Sequence, residues 1–476
     1  MPRRHLSVNV QDDSKGSELR AGFARIRQEQ KLPTEFPAAV LAEAEQAAKS
    51  PRLPTYDVTD LPFLTIDPPG STDLDQAMHL ERQGSGFRVR YAIADVAAFV
   101  TPGGEIDKEA HRRVETLYSP DQRTPLHPPV LSEGAASLLA DQVRPALLWV
   151  IDLDAHGEQT AVQVSRAMVR SRDRLDYAGV QQTVDAGTSD ERLQLLAEVG
   201  KLRLALEVAR GGVSLPIPEQ EVLQHGDTFN LEYRVTLPVE SWNEQISLMT
   251  GMAAAGLMLD GKVGILRTLP EAPDWALNKL RKAAYAFGVE WRDGASYAEV
   301  VHGLDPANPQ HAALLDQSTS LLRGAGYTAF DGEVPADTTH AAVAANYAHT
   351  TAPLRRLVDR YVGEVCLALC AGTEVPSWTR SALPQLPAEM AEADHRAHAL
   401  ERECVALMEA SVLAGREGEE FDAFALDDDP KRGGTVQLLD PAVRADCEGA
   451  LPVGERVRVR LMNADPVTRK VSFALA

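Results

Sequence analysis

Cysteine, positive charge and long apolar runs are all scarce in this chain of 476 residues. The four cysteines, Cys366, Cys370, Cys404 and Cys447, include no Cys-x-x-Cys pair. Cys366 and Cys370 stand i, i+4 on an apolar helical stretch, a spacing that suits core packing better than zinc. The longest charge-free apolar stretch, Ile246 to Leu259, stops at Asp260. It falls short of the roughly 20 residues that a membrane span needs, and reads as a buried helix. The opening residues Met1-Pro2-Arg3-Arg4-His5 lack the apolar core of a signal peptide. The expectation is a cytoplasmic protein with no membrane association and no obligate protein partner. Basic residues are outnumbered: the net charge is −21 and the pI about 5.0. That balance argues against a generic nucleic-acid binder unless the basic residues cluster.

What remains is ordinary for a globular chain. Hydrophobic residues make up 44% and charged ones 25%, and the length allows two or three domains with a large core. No internal repeat is visible. One stretch stands out: Phe63-Leu64-Thr65-Ile66-Asp67-Pro68-Pro69-Gly70-Ser71-Thr72-Asp73-Leu74-Asp75-Gln76-Ala77. A β-prone run delivers Asp67 to its end, a Pro-Pro-Gly-Ser turn redirects the chain, and Asp73 and Asp75 follow two apart. In extended chain those two carboxylates share a side. Three carboxylates brought together suit a hard cation such as magnesium or manganese. Taken alone, the stretch reads equally well as a polar turn between strands.

Before it, helices are expected over Glu18 to Lys31 and Pro37 to Lys49, the second stopped by Pro51 and Pro54. This segment suggests a small helical or winged module, with a basic first helix that is most simply a solvated face. Phe87 to Ile93 alternates like a half-buried strand after a Gln83-Gly84-Ser85-Gly86 turn. Ile106 to Leu117 reads as a helix ending at Tyr118, and Ala146 to Leu153 as a strand. In Ser165 to Arg174, residues Arg166, Arg170, Arg172 and Arg174 fall on one face if the chain is extended. They form the basic cluster that an acidic nucleic-acid enzyme would need. Helices follow over Asp190 to Arg210, Glu240 to Leu259, Leu354 to Ala371 and Pro387 to Leu413. After Gly418, short alternating runs (Thr435 to Leu438, Arg456 to Met462, Val471 to Leu475) surround a turn over Asp427 to Gly434. They suggest an OB-type β-barrel, a common single-strand binder, or else a structural cap.

Two further stretches decide the reading. One is Asp107 to Tyr118. The other is Tyr347-Ala348-His349-Thr350-Thr351-Ala352-Pro353-Leu354-Arg355-Arg356-Leu357, where Arg355 and Arg356 are expected in a helix's first turn. Arginines are poorly placed at that positive end, so an anionic partner is inferred. Together with Thr65-Ile66-Asp67…Asp73-Leu74-Asp75-Gln76-Ala77, they resemble the ribonuclease II/ribonuclease R family of 3′→5′ exoribonucleases. Tyr91-Ala92-Ile93-Ala94-Asp95-Val96 resembles the family's following strand, and Ala352-Pro353-Leu354-Arg355-Arg356 its Ser-Pro-Ile-Arg-Arg segment. Leu32 to Leu61 resembles the linker that precedes the catalytic domain. The resemblance covers about Leu32 to Val412, and the ordered combination is specific where no single motif is.

The resemblance implies an α+β fold, with a catalytic domain built as a mixed sheet among helices. A small N-terminal helical or winged module and a C-terminal OB-type barrel complete the chain, divided at 1–56, 57–415 and 416–476. It implies hydrolysis of single-stranded RNA from the 3′ end, processively, to nucleoside 5′-monophosphates, with magnesium (manganese as a substitute) as cofactor. Asp67, Asp73 and Asp75 match the metal-holding carboxylates, and Asp75 the family's most sensitive catalytic aspartate. Arg355 matches the arginine that grips the phosphate and stabilises its developing charge. Tyr118 matches the aromatic that packs on the 3′-terminal nucleotide, and His349 and Arg356 are carried with them as RNA contacts.

The chain departs from the family pattern in several places. Gln76 replaces an adjacent aspartate; its amide oxygen can coordinate but carries no charge. Near Asn243, Glu244 and Thr250 the usual paired glutamates and asparagine are only partly present. No second aromatic stands at Gly212 to Pro216. The segment before Asp57 is too short for the tandem cold-shock barrels usual in the family. Two other readings stay open: a catalytically weak RNA-binding relative, and a phosphoesterase acting on small nucleotides.

Overall fold

The structure, a computed structural model, describes residues 6–9, 14–214, 219–225, 228–234, 236–306, 308–429, 433–441 and 443–476. Residues 1–5, 215–216 and 430–432 lie outside the described residues, and with them parts of the leader, second-aromatic and turn expectations.

Two closed barrels organise the chain. The first consists of β1 (Phe63–Asp67), β2 (Gln76–Gln83), β3 (Gly86–Ala94), β4 (Val143–Leu153) and β5 (Gln159–Asp176). Successive strands pair antiparallel, and β1 closes on β5 in parallel with Asp67 opposite Asp176. Side chains alternate between its faces, and residues of both faces enter apolar clusters. Leu64, Ile66, Tyr91, Ile93 and Trp149 enter one cluster, while Phe63, Ala92, Ala94 and Leu148 enter another. Where both sides are buried the strand is a near-continuous apolar run, as from Ala146 to Ile151 of β4.

Helices cover the barrel. Among those described, α1 (Ser14–Glu29) and α2 (Ala38–Lys49) precede it, and α3 (Glu105–Arg113) follows β3. Later come α4 (Glu191–Arg210), α5 (Pro238–Gly261), α6 (Leu357–Ala371) and α7 (Leu386–Leu413). The apolar stretch from Ile246 lies in α5 and is buried, with Met249, Ala254 and Met258 at 0% exposure. The two N-terminal helices do not share a core. Phe23 and Ile26 of α1 pack with Cys404 and Leu407 of α7, whereas Val40 and Ala44 of α2 join the barrel cluster. Cys366, Cys404 and Cys447 are buried free thiols, and Cys370 is a half-buried one.

The second barrel is β6 (Glu420–Asp429), β7 (Gly433–Leu438), β8 (Arg444–Glu448), β9 (Arg456–Asp465) and β10 (Lys470–Leu475), closed in the order β6-β7-β8-β10-β9. β8 and β10 pair in parallel and the other neighbours antiparallel. The expected OB-type barrel is thus present, with five strands. It stays in contact with the rest of the chain through α7 and α1, which share its apolar cluster.

Three expectations need correction. The helix expected to reach Leu117 ends at Arg113, where Val114 turns to φ 68. Beyond it the chain is extended, and Leu117–Tyr118 pairs with Arg123–Thr124. The cause is tertiary: Thr116 N–H donates to the Arg355 carbonyl and Leu357 N–H to that of Val114. Pairing with a distant segment outcompetes local helix formation. For the same reason α6 begins at Leu357, with Arg356 extended just before it (φ −134, ψ 128). Finally, the four-arginine face of β5 is interrupted by a slip in its register with β1 between Ser171 and Asp173. Arg166 binds Asp95 at 2.8 Å and also Glu364, and Arg172 donates to the Thr59 carbonyl at 2.8 Å.

Candidate active site

β1 ends at Asp67, and Pro68 to Ser71 form the expected turn. Ser71 Oγ donates to the Pro68 carbonyl at 2.8 Å, and Gly70 supplies the left-handed φ of 84. The return limb is anchored by Ser137, which accepts from Leu74 N–H at 2.9 Å and donates to the Thr72 carbonyl at 2.7 Å. This leaves Asp73 half-buried and Asp75, at 2% exposure, inside the protein.

The second half of the site comes from residues 347–356. Gly251 of α5 lets this segment approach: a Cβ there would lie 2.2 Å from the Tyr347 ring. Ala348 N–H donates to the Gly251 carbonyl at 3.1 Å. The segment then turns over Thr351 to Arg355 and meets Asp75. Leu354 N–H donates to Asp75 Oδ1 at 2.8 Å, and Arg355 Nε donates to Oδ2 at 2.8 Å. Arg355 and Tyr118, the latter 41% exposed, line the same cavity, and the guanidinium charge acts on the tyrosine hydroxyl.

Electrostatics couple the three aspartates. Desolvation pushes Asp67 up to about 6, Arg355 and Arg174 pull it down, and the charge of Asp73 adds to the rise. Desolvation likewise raises Asp75 to about 7, against the stabilising pull of Arg355 and the Leu354 amide. Asp73 is engaged by Arg123, whose guanidinium also contacts Thr72 Oγ1 at 2.6 Å and Glu133 at 2.8 Å.

A divalent ion suits this donor set in chemistry: crowded, desolvated carboxylates are what a hard cation relieves. The set is not preassembled. Among the described residues, no group of three or more His, Cys, Asp or Glu side chains is arranged to hold a metal ion. Asp75 has both oxygens engaged by Leu354 and Arg355, and Asp73 holds Arg123. Gln76 is also occupied. Its Oε1 accepts from Tyr91 OH at 3.1 Å and its Nε2 donates to the Thr351 carbonyl. The amide oxygen expected as a spare ligand therefore already has a partner.

Tyr118, His349, Arg355 and Arg356 line one cavity of about 420 Å³. Arg355 thus stands at the junction between the cavity and the aspartates. His349 meets Tyr327 OH through Nδ1 at 2.6 Å, and its ring lies edge-on to Tyr347 at 5.5 Å. Arg356 donates to Asp359 through Nε at 3.0 Å and Nη2 at 2.9 Å. Asp359 stands in the first turn of α6. The anion inferred for that helix end is thus supplied, for Arg356, by the chain itself.

Several neighbours escaped the sequence reading. Arg123 is paired in strand register with Tyr118, and Tyr177, close to Asp67, accepts from Asn243 at 3.0 Å. Tyr327 carries Arg267 over its ring at 4.5 Å. Glu244 lines the cavity and is pushed up to about 7 by desolvation and by Glu207 and Glu240. Only Glu244 gave a signal, as part of the incomplete Asn243-Glu244 motif.

Two barrels joined by helices thus frame a carboxylate–arginine centre beside a cavity lined in part by Tyr118, Tyr327 and Tyr347. The RNB domain family matches residues 55–370, and the RNase II-type exonuclease C-terminal S1 domain matches residues 419–476. The chain belongs to the RNB domain family. It is similar to ribonuclease R of Escherichia coli, 28% identical over 380 residues that cover 74% of this chain and 45% of that protein. The chain thus spans less than half the length of this curated relative. In structure it resembles Mycoplasma genitalium RNase R solved in complex with ribose-methylated single-stranded RNA. The TM-score is 0.84 at 19% identity, covering 98% of this chain and 79% of the other. It also resembles yeast Ssd1, described as a pseudonuclease, with TM-score 0.71 at 14% identity, covering 94% of this chain and 57% of the other. Among the described residues, no helix is long and apolar enough to cross a membrane.

Proposed function

We infer that this chain is a magnesium-dependent 3′→5′ exoribonuclease that shortens single-stranded RNA processively to nucleoside 5′-monophosphates. In this reading residues 57–415 carry the reaction and residues 416–476 the RNA-binding barrel, with 1–56 an accessory segment. The observation that carries it is the position of Arg355, bonded to Asp75 and sharing the edge of the cavity with Tyr118.

Each residue has a physical task. Tyr118, half-exposed at that edge, offers a face for the 3′-terminal base, and stacking holds a base without reading its identity at about 1–3 kcal/mol. Arg355 places a fixed cation where phosphate charge builds up during cleavage. Asp67, Asp73 and Asp75 would hold magnesium, or manganese in its place, and the bound ion would supply an activated water and further charge on the phosphate. His349 and Arg356 shape the cavity wall, the first with Tyr327 and Tyr347, the second from its pair with Asp359.

A second reading has support of its own: an RNA-binding relative that does not hydrolyse. The aspartates are not preassembled around an ion position, and Gln76 brings no charge to them. Incubating 5′-labelled single-stranded RNA with the protein, in magnesium and in EDTA, separates the two. Stepwise shortening from the 3′ end in magnesium alone supports the exonuclease; a mobility shift without shortening supports the binder.

A further inference from the structure

Gln76 opens β2 directly after Asp75, where an acidic side chain would bring a fourth carboxylate to the centre. Its amide is committed at both ends. Tyr91, fully buried at 0% exposure, donates its hydroxyl to Oε1 at 3.1 Å. That contact fixes the orientation of the amide and turns Nε2 toward the Thr351 carbonyl, to which it donates. Thr351 is itself 3% exposed, and its hydroxyl meets Ser247 at 2.8 Å. A short turn later, Leu354 N–H and Arg355 Nε both reach Asp75. Two adjacent side chains, Gln76 and Asp75, therefore hold the start and the end of the turn that presents Arg355.

We propose that Gln76 is a positioning residue that fixes Arg355 through the Thr351 carbonyl, and is not a further ligand for a metal ion. This rests on the function inferred above, in which Arg355 faces the phosphate. A carboxylate at position 76 has no hydrogen to donate. Facing the carbonyl of the buried Thr351, it sets two acceptors against each other. The turn yields, and Arg355 moves with it. An acid here harms the site, which is the opposite of what a metal-ligand role requires.

Two substitutions separate the roles. Gln76→Glu keeps length and shape but removes the donor and adds a charge; Gln76→Met keeps length and removes donor and acceptor together. Each is measured for kcat and KM on 5′-labelled single-stranded RNA, for magnesium half-saturation, and for hydrogen exchange at the amides of residues 352–356. With a tether, both variants lose kcat about tenfold, the effect of one hydrogen bond of ordinary net strength. KM changes by less than about threefold, neither variant tightens magnesium, and the Leu354 amide exchanges about tenfold faster while barrel amides hold.

A ligand role gives opposite signs, with Gln76→Glu tightening magnesium and Gln76→Met weakening it. That pattern, or an unchanged Leu354 amide in both variants, overturns the proposal. Should neither variant fold, Tyr91→Phe carries the same exchange test, since it frees the amide to rotate away from Thr351. Should the unmodified protein bind RNA without shortening it, the exonuclease reading fails, and the exchange data still decide the tether.

Discussion

Arg355 donates from Nε to Asp75 Oδ2 at 2.8 Å across 280 positions of sequence, and the same side chain lines the cavity beside Tyr118. One side chain thus joins a buried acid to a cavity lined by an exposed aromatic. Burial pushes the Asp75 carboxyl up to about 7, with Arg355 as the opposing pull. Whatever occupies the cavity beside Tyr118 meets a cation whose position is set by the barrel.

Replacing Arg355 with lysine keeps the charge but not the planar guanidinium that donates to Asp75. Arg355→Lys is expected to lower kcat by about 10²–10³-fold, the range for loss of one preorganised charge-stabilising donor. RNA affinity falls far less, because Tyr118, His349 and Arg356 still line the cavity and the positive charge is kept. Single-turnover kinetics beside a filter-binding titration makes the comparison. Equal losses in both would assign Arg355 to RNA binding alone.

Tyr118→Ala removes the stacking face while leaving the aspartates in place. The final product of digestion should lengthen, because the last nucleotides no longer gain about 1–3 kcal/mol from stacking. Tyr118→Phe, which keeps the ring and drops only the hydroxyl, should keep the original end-product. High-resolution gels of the limit digest read this directly. An unchanged end-product in Tyr118→Ala would remove the residue from the terminal-base position.

Burial holds Asp67 at about 6 and Asp75 at about 7, both above the ordinary value of 3.8. Between these values the folded chain binds more protons than the unfolded chain. Stability from these groups is therefore fullest below about pH 4, falls as pH rises, and levels off above about pH 7. A divalent ion that needs the ionised forms works in the other direction. In EDTA, this contribution makes the protein melt lower near pH 7.5 than near pH 5, and magnesium should raise the melting temperature more at the higher pH. Calorimetry at both values, with and without magnesium, gives the answer. A magnesium effect larger at the lower pH would contradict the carboxylate assignment.

Much of this site was legible from residue pattern. The β-prone run into Asp67, the Pro-Pro-Gly-Ser turn and the period-two strands of both barrels follow from local chemistry. So does the buried helix from Ile246. What escaped depends on partners far along the chain. Val114 ends α3 because its carbonyl is needed by Leu357, and Arg356 precedes α6 because its neighbours pair with residues 114–116. Arg123 carries no local signal, since its role appears only beside Asp73, 50 positions away. The four arginines of β5 kept their periodicity but not their common purpose, because a register slip and internal carboxylates divided them. Gln76 looked like a missing charge; in the folded chain it is an amide with both ends engaged.

The most direct measurement runs 5′-labelled single-stranded RNA with the unmodified protein and with Asp75→Asn, in magnesium and in EDTA, on a sequencing gel. The account expects a descending ladder from the 3′ end with the unmodified protein in magnesium and none in EDTA. Asp75→Asn should show no ladder on the same timescale while still shifting the RNA. A ladder that persists in Asp75→Asn, or no shortening by the unmodified protein in magnesium, contradicts it.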